Sequence, residues 1–339
     1  MSDQYSDALA KLGFVAIGRN EGERLQHALR AIRSLCPACP VVYVDSGSTD
    51  DSVVFAQSLN IDVVELDLSI PFTAARARNA GFKTLLEHNP TLAYVQFFDG
   101  DCTMVDGWTY SALSCLSHRE DDVAIVSGRR KERYPERSIY NALMDIEWNT
   151  PVGETRAVLG DMCVKVDAFQ AVDGFSETII AAEDDDLCIR IRASTHKKVL
   201  RLDADMSLHD ANITELSQWY RRAIRGGYGY ANIHHVHGSG PEQYFKKELR
   251  SALLWGTGIP VLFLMSLICW PKFATLILFL YLSFIAKTAL RLTLKGRNWR
   301  IACAYAGLVF SAKVPESFGI FKYWRNHLLS KKHQLIEYK

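Results

Sequence analysis

Along roughly the first 210 residues, short continuous apolar runs alternate with stretches whose apolar positions recur every three or four residues. The runs at 14–18, 41–45, 63–66, 94–99, 123–127, 163–166 and 199–202 read as strands. Helices are expected over 21–35, 51–59, 72–88, 108–116, 139–148 and 185–193. In the first of these, Leu25, Ala28, Leu29 and Ile32 fall on one face. Regular strand–helix alternation predicts an α/β domain built on a largely parallel sheet, ending near residue 240.

Beyond Gly240 the pattern changes. Residues 252–270 are apolar throughout, Pro271-Lys272 interrupts, and residues 273–290 are apolar again apart from Lys287. A bilayer-crossing helix needs about 20 apolar residues, so 241–300 is expected to be a membrane anchor with two transmembrane helices. Lys246, Lys247 and Arg250 precede the first run, and Lys287, Arg291, Lys295, Arg297 and Arg300 flank the end of the second. Positive flanks stay on the cytoplasmic side, which places the first domain on the cytoplasmic face and the Pro271 turn outside. A shorter apolar stretch, 301–312, is surrounded by Trp299, Lys313, Phe321, Tyr323, Trp324 and Arg325. Residues 299–324 read as interfacial, within a basic C-terminal segment 301–339. The polar N-terminus, through Leu12, lacks the basic-then-apolar signature of a signal peptide.

The formal charge over 339 residues is +1 and no sustained basic face is visible in the first 240, so nucleic acid is not expected as a partner. The eight cysteines are scattered, mostly in apolar runs, as reduced thiols packed like small hydrophobes. Cys36 and Cys39 form a C-x-x-C, but no second ligand pair accompanies it as a zinc site requires.

Candidate chemistry sits at strand ends. Asp99-Gly100-Asp101 closes an apolar strand, and the glycine lets the backbone turn so that both carboxylates approach one ligand. Oxygen ligands suit Mg²⁺ or Mn²⁺, which also take substrate phosphates. Asp45 in Asp-Ser-Gly-Ser-Thr-Asp closes another strand, where open α/β sheets bind ligands, while Asp50 and Asp51 read as helix caps. Arg76 and Arg78 begin a helix, and either can grip phosphate or a carboxylate; one of the two equally reads as solvated surface. Glu183-Asp184-Asp185-Asp186 lies between apolar stretches, so one of these acids can line a cleft as a general base; a solvated helix start is the plainer reading. His209 reads equally as a third metal ligand, a diphosphate contact or a capped structural histidine. Gln218, Arg221 and Arg222 sit among aromatic residues on a helix that either closes over a diphosphate or faces the membrane. His234, His235 and His237 carry no assignment.

Together these motifs, in this order from about Phe14 to about Arg225, resemble the family 2 inverting glycosyltransferases. The resemblance implies the GT-A nucleotide-diphospho-sugar transferase fold, a single mixed, mostly parallel sheet flanked by helices. It implies nucleotide contacts from Arg19 and Glu21 after the first strand, and from Asp45. Arg78-Asn79-Ala80-Gly81 matches the family's Arg-Asn-x-Gly, and Asp99 and Asp101 its D-x-D, with Asp101 the nearer metal ligand. Gly160-Asp161 and residues 172–175 resemble the acceptor-side segment, and Glu183-Asp184 the Glu-Asp pair whose aspartate is the catalytic base. Gln218-Trp219-Tyr220-Arg221-Arg222 resembles the processive members' Q-x-x-R-W box but ends in Arg. With two transmembrane helices a polymer channel is not expected, so transfer of one sugar is. The donor is a nucleotide-sugar, and the acceptor implied by the anchor is lipid-linked saccharide, glycolipid or polyprenyl phosphate. A sugar-nucleotide pyrophosphorylase is disfavoured because Gly18-Arg19-Asn20-Glu21-Gly22 is acidic and poor in glycine. A non-catalytic sugar-nucleotide-binding scaffold would be expected to have lost Asp99, Asp101 or Asp184, and all three are present.

Overall fold

The structure is a computed structural model and describes residues 3–329. The chain divides into two compact units, one formed by residues 1–134 and 144–211, the other by 135–143 and 212–339. This division falls ahead of the compositional change at Gly240. Residues 330–339 of the expected C-terminal segment lie outside the described residues.

In chain order the first unit and its insert comprise α1 (Asp3–Ala10), β1 (Leu12–Gly18), α2 (Glu23–Leu35), β2 (Val41–Asp45), α3 (Ser52–Ser58), β3 (Asp62–Glu65), α4 (Ala74–His88), β4 (Tyr94–Asp99), β5 (Cys102–Met104), α5 (Trp108–His118), β6 (Val123–Glu132), α6 (Ile139–Glu147), β7 (Gly153–Glu154), β8 (Met162–Lys165), α7 (Val166–Gln170), α8 (Glu183–Thr195) and β9 (Lys198–His209). The strands form one mixed sheet in the order β3-β2-β1-β4-β8-β6-β9-β5, with β7 on β9. β1 to β4 run parallel, and β8 is antiparallel to both β4 and β6. β1 is buried along nearly its whole length, as a strand covered on both faces requires. Leu25, Ala28, Leu29 and Ile32 of α2 are buried on one sheet face, as their spacing predicts. Phe82, Phe97, Phe169 and Phe175 pack together on the other.

Three registers determine where strand ends meet. Gly18 pairs with Asp45 and Ile17 with Asp99, so β1 carries an aspartate on each side of its end. Phe97 pairs with Met162, so the chain entering β8 brings Gly160 and Asp161 to the end of β4, beside Asp99. Cys102 pairs with His209, which brings Asp101 to the histidine. The chain order reverses between β1 and β4, and open α/β sheets bind ligands at such a crevice.

The strands expected at 123–127 and 199–202 continue to Glu132 and His209. The extensions are charged, so they do not read as buried strand; paired charges carry them instead. Register shifts around Arg129 break strict alternation, and Arg129 and Arg130 are consecutively buried. Arg129 Nη2 is satisfied by the Asp145 carboxylate at 2.9 Å. The short elements α1, β5, β7 and α7 were not anticipated from periodicity.

The second unit is helical: α9 (Leu216–His237), α10 (Lys246–Leu253), a π-helical turn (Leu254–Gly258), α11 (Ile259–Cys269), α12 (Pro271–Leu294) and α13 (Trp299–Leu328). Helix Lys246–Cys269 and helix Pro271–Leu294 each contain 24 residues and are long and apolar enough to cross a membrane. Trp270 breaks the helix, and Pro271 opens the next at a position where its missing N–H costs nothing. α13 is one 30-residue helix running through Pro315, longer than the apolar stretch that marks it in the sequence.

Helix α13 meets α9 at glycines. A Cβ on Gly227 would lie 1.9 Å from the Glu316 carbonyl oxygen, and one on Gly319 would lie 2.0 Å from that of Ile224. The backbones therefore touch, and no side chain can yield. Gly307, in the same α13, has nothing within 4 Å of its missing Cβ. Gly227→Ala is expected to cost about 3 kcal/mol or more, whereas Gly307→Ala is expected to be neutral or to stabilise by up to about 1 kcal/mol. Thermal unfolding of the two variants in detergent checks this, and equal melting shifts would contradict it.

Candidate active site

The chain end of β4 places Asp99 where three other elements supply partners. Arg78 follows the Thr73 cap of α4, whose Oγ1 accepts from Arg76 N at 3.1 Å. The Arg78 guanidinium is almost fully buried and bridges two acids: Nη2 donates to Asp99 Oδ1 and Nη1 to Glu183 Oε1, each at 2.7 Å. Arg76, two residues earlier and so on a different side of α4, instead donates to the Ile70 and Asp67 carbonyls and shapes its own loop. Asn79 clamps the segment around Phe175 by donating to its carbonyl and accepting from its N–H. Gly81 is required by space, since a Cβ there would lie 2.5 Å from Val15. Each residue of Arg-Asn-x-Gly thus has its own physical task.

Asp161 is fully buried and accepts from Asp99 N–H at 3.1 Å and from the Ser207 hydroxyl at 2.9 Å. Arg130 Nη2 lies 3.1 Å from the same carboxylate and 3.7 Å from Asp99 Oδ2. Gly160 has φ +86°, and a Cβ on it would lie 3.3 Å from both Arg78 and Arg130 and 3.4 Å from Asp99. Glycine is needed there for backbone conformation and for room. Burial works against the Asp99 anion, but Arg78, Arg130 and His209 together hold its carboxyl well below the usual carboxylate range.

Asp184 begins α8 beside Glu183. Burial, and then the Glu183 charge, push its carboxyl up to about 6, against the opposing pull of Arg78. A carboxylate tuned this way suits proton transfer near neutral pH.

Asp101 and His209 are buried together, with Oδ1 and Nε2 3.2 Å apart. Burial, and then Arg130, lower the His209 ring to about 4. The imidazole is therefore neutral at pH 7, and its contact with Asp101 is not an ion pair. Its Nδ1 has no hydrogen-bond partner among the described residues, and Trp148 stands edge-on to the ring at 4.5 Å. Asp101, Cys102 and His209 form a group able to surround a cation, as do Asp99, Cys102 and Asp161. Burial, with Asp161 adding to it, keeps the Cys102 thiol far above its ordinary pKa and protonated. Asp99 and Asp161 are already neutralised by arginine. The remaining pair, one oxygen and one nitrogen, fits Mg²⁺ or Mn²⁺: adjacent ligands of an octahedral ion at about 2.1 Å lie about 3 Å apart.

The nucleotide candidates lie at the ends of β1 and β2. Asp45 Oδ2 accepts from Gly47 and Ser48 N–H, and Oδ1 accepts from the Tyr43 hydroxyl. The Asn20 N–H donates to Ser48 Oγ, and the Asn20 side-chain oxygen accepts from Thr49 N–H, tying the two loops together. Asp50 accepts from Gly22 and Ser52 N–H, so it holds the loop as well as the helix start. The Arg19 guanidinium lies 4.6 Å from the centre of the Phe72 ring, and Glu21 pairs with Arg24 at 2.8 Å.

The structure thus brings Arg78, Asp99, Gly160, Asp161 and Glu183 into one cluster, and Asp101 and His209 into direct contact. Arg19, Glu21 and Asp45 stand on two linked loops with local partners. Gln218, Arg221 and Arg222 belong to the helical unit. There Gln218 accepts from Thr214 and Glu215 N–H as part of a capping box, Arg221 reaches the Ser217 carbonyl, and Arg222 lies over Trp219. His235 shares a hydrogen bond with the Tyr323 hydroxyl. Sequence reasoning missed Arg130 and Ser207. The one signal for Arg130 was a charged pair directly after a buried strand.

A mixed sheet with an Asp-Gly-Asp turn at the end of a central parallel strand, opposite a Glu-Asp pair on a helix N-terminus, defines the GT-A nucleotide-diphospho-sugar transferase fold. Residues 15–168 match the family described as Glycosyl transferase family 2. No curated protein matches the chain. Among solved structures, the mannosyltransferase PcManGT from Pyrobaculum calidifontis, in complex with GDP-Man and Mn²⁺, is 18% identical, with a TM-score of 0.58, over 91% of this chain and 87% of that one. S. aureus TarS 1–349 is 13% identical, with a TM-score of 0.52, over 91% of each chain. A longer S. aureus TarS chain is 14% identical, with a TM-score of 0.49, over 72% of this chain, which spans 43% of its length.

Arg130→Met leaves the Asp161 charge buried without its cation and is expected to cost about 3–5 kcal/mol. Adding Asp161→Asn removes the stranded charge, so the double variant should recover part of that loss. Thermal unfolding of both checks this; a single variant as stable as wild type would contradict it.

Proposed function

We propose that this protein is a membrane-anchored glycosyltransferase that moves one sugar from a nucleotide-diphospho-sugar to a membrane-associated acceptor, with inversion at the anomeric carbon. The observation that carries the reading is the Arg78 bridge between Asp99 and Glu183, which holds the Asp-Gly-Asp turn beside Asp184 at one strand-end crevice.

In this reading Asp101 and His209 hold Mg²⁺ or Mn²⁺, which when bound supplies positive charge to a departing diphosphate. Arg19, Glu21 and Asp45 line the nucleotide end. Arg78 and Arg130 hold Asp99 and Asp161 ionised and fixed, so that the crevice needs no rearrangement during reaction. The Asp184 carboxylate takes the proton of an acceptor hydroxyl. The acceptor oxygen bonds to the anomeric carbon as the bond from that carbon to the diphosphate oxygen breaks, and the diphosphate leaves with the electron pair. Attack opposite the leaving group inverts the centre.

The α11 and α12 helices support a membrane location. Their large apolar side chains point outward, and only Ser266, Ala274, Ile277 and Ala289 are buried. The basic flanks of the hairpin favour the cytoplasmic face for the catalytic unit. That location makes lipid-linked saccharide or glycolipid the favoured acceptor, and cell-surface polysaccharide or glycolipid synthesis the favoured setting.

The test is turnover of a panel of nucleotide sugars by purified protein in detergent with Mn²⁺ and total membrane lipid. With the productive donor, kcat/KM should climb as pH rises through about 6, because Asp184 acts only when deprotonated. Asp184→Asn should abolish that limb and lower kcat by about 10²–10⁴-fold. Full activity in Asp184→Asn would remove the general base and turn the acceptor assignment towards polyprenyl phosphate, already an anion. Retained configuration would overturn inversion, and no turnover of any donor, despite nucleotide binding, would favour a scaffold.

A further inference from the structure

The C-terminal half of helix α13 turns polar and small residues inward, beside Ile320 and Tyr323: its buried positions include Ser317, Gly319 and Asn326, with Ser317 only 1% exposed. Its exposed positions include Phe318 at 59%, Phe321 at 48% and Leu328 at 78%. At 100° per residue, Phe318, Phe321, Arg325 and Leu328 form one stripe, with Trp324 on its edge. A helix exposed to water places these groups the other way round, because each large apolar side chain left in water forfeits about 1.5–3 kcal/mol of burial. The same arrangement marks α11 and α12, where Ser266 and Ala274 are inside and Ile268 and Phe279 outside. The outer face of α13 therefore continues the chemistry of the hairpin in the same unit.

Charge distinguishes this face from a protein-docking groove. The one acid in the helix, Glu316, is buried and paired with Lys313 at 2.7 Å. Lys322 and Arg325 stand on the outer face with no acid among them. Such stems lie along apolar surface while their tips reach phosphate, and Trp324 suits the same boundary. A 30-residue helix that carries these cations along an apolar stripe, and ends on them, fits a lipid surface better than a bilayer interior.

We infer that the Phe318–Phe321–Leu328 face of α13 is a lipid-contact surface lying at the headgroup–acyl boundary of the bilayer, with Lys322 and Arg325 reaching the headgroups. The inference rests on the membrane location proposed above, and it adds a third helix to the lipid-facing surface. Each stripe position is exposed, so substitution there leaves the α9–α13 contact intact.

The test uses the full chain in vesicles of phosphatidylcholine and phosphatidylglycerol, with Cys115, Cys269 and Cys303 replaced by serine and single nitroxide labels at Phe318→Cys, Phe321→Cys or Leu328→Cys. Phe279→Cys on α12 is the lipid reference and Val54→Cys in the catalytic unit the water reference; both positions are exposed. Collisions with oxygen should outweigh those with a water-soluble nickel chelate at 318, 321 and 328, as at 279 and opposite to 54. Lipid contact at 279 with water contact at all three α13 positions would overturn this inference and leave the membrane anchor standing. Water contact at 279 as well would overturn both.

Discussion

Two arginines and three carboxylates share the space at the end of the central strand, and most of that space is closed to water. A buried charge without a partner costs several kcal/mol, so each of these groups constrains the next. Arg78 can stay buried because Asp99 and Glu183 accept from it, and Asp161 because Arg130, Ser207 and the Asp99 N–H surround it. The arrangement joins α4, β4, β6, β8, α8 and β9 around one point. It also adds to the case for glycine at 160: besides its φ of +86°, a Cβ there would be crowded by the two guanidinium groups at 3.3 Å and Asp99 at 3.4 Å. The charges that stabilise the crevice are the charges that leave Asp101 and His209 as the pair able to take a metal.

The helical unit is built on the opposite rule. Where the catalytic unit buries large apolar groups and pairs its charges, α11, α12 and α13 turn glycine, alanine and serine inward and leucine and phenylalanine outward. Small residues let helix backbones approach closely, as at Gly227 and Gly319.

The strands, the major helices and both long apolar helices were legible because continuous apolar runs and 3.6-residue periodicity report burial directly. The strand extensions through Arg130 and His209 were not, because charged residues read as surface until their partners are known, and those partners lie far away in sequence. For the same reason Arg78 stood out only through its motif, and Arg130 not at all. Asp45 reads from sequence as a ligand contact; the structure adds that its carboxylate also accepts from Tyr43, Gly47 and Ser48 and so shapes the turn that follows β2. The Asp101–His209 contact depends on the short β5–β9 pairing, which three residues of β5 cannot announce. α13 was legible as an aromatic, basic segment, but not as one helix, because its continuous apolar stretch, 301–312, covers less than half of its 30 residues.

The most direct measurement of the central claim is Mn²⁺ binding by electron paramagnetic resonance, with and without a nucleoside diphosphate. If Asp101 and His209 form a metal site facing a diphosphate, bound Mn²⁺ should increase when the diphosphate is added, and Asp101→Asn and His209→Ala should each abolish the bound signal. Binding that survives both substitutions, or that is indifferent to the diphosphate, would contradict the assignment of this crevice.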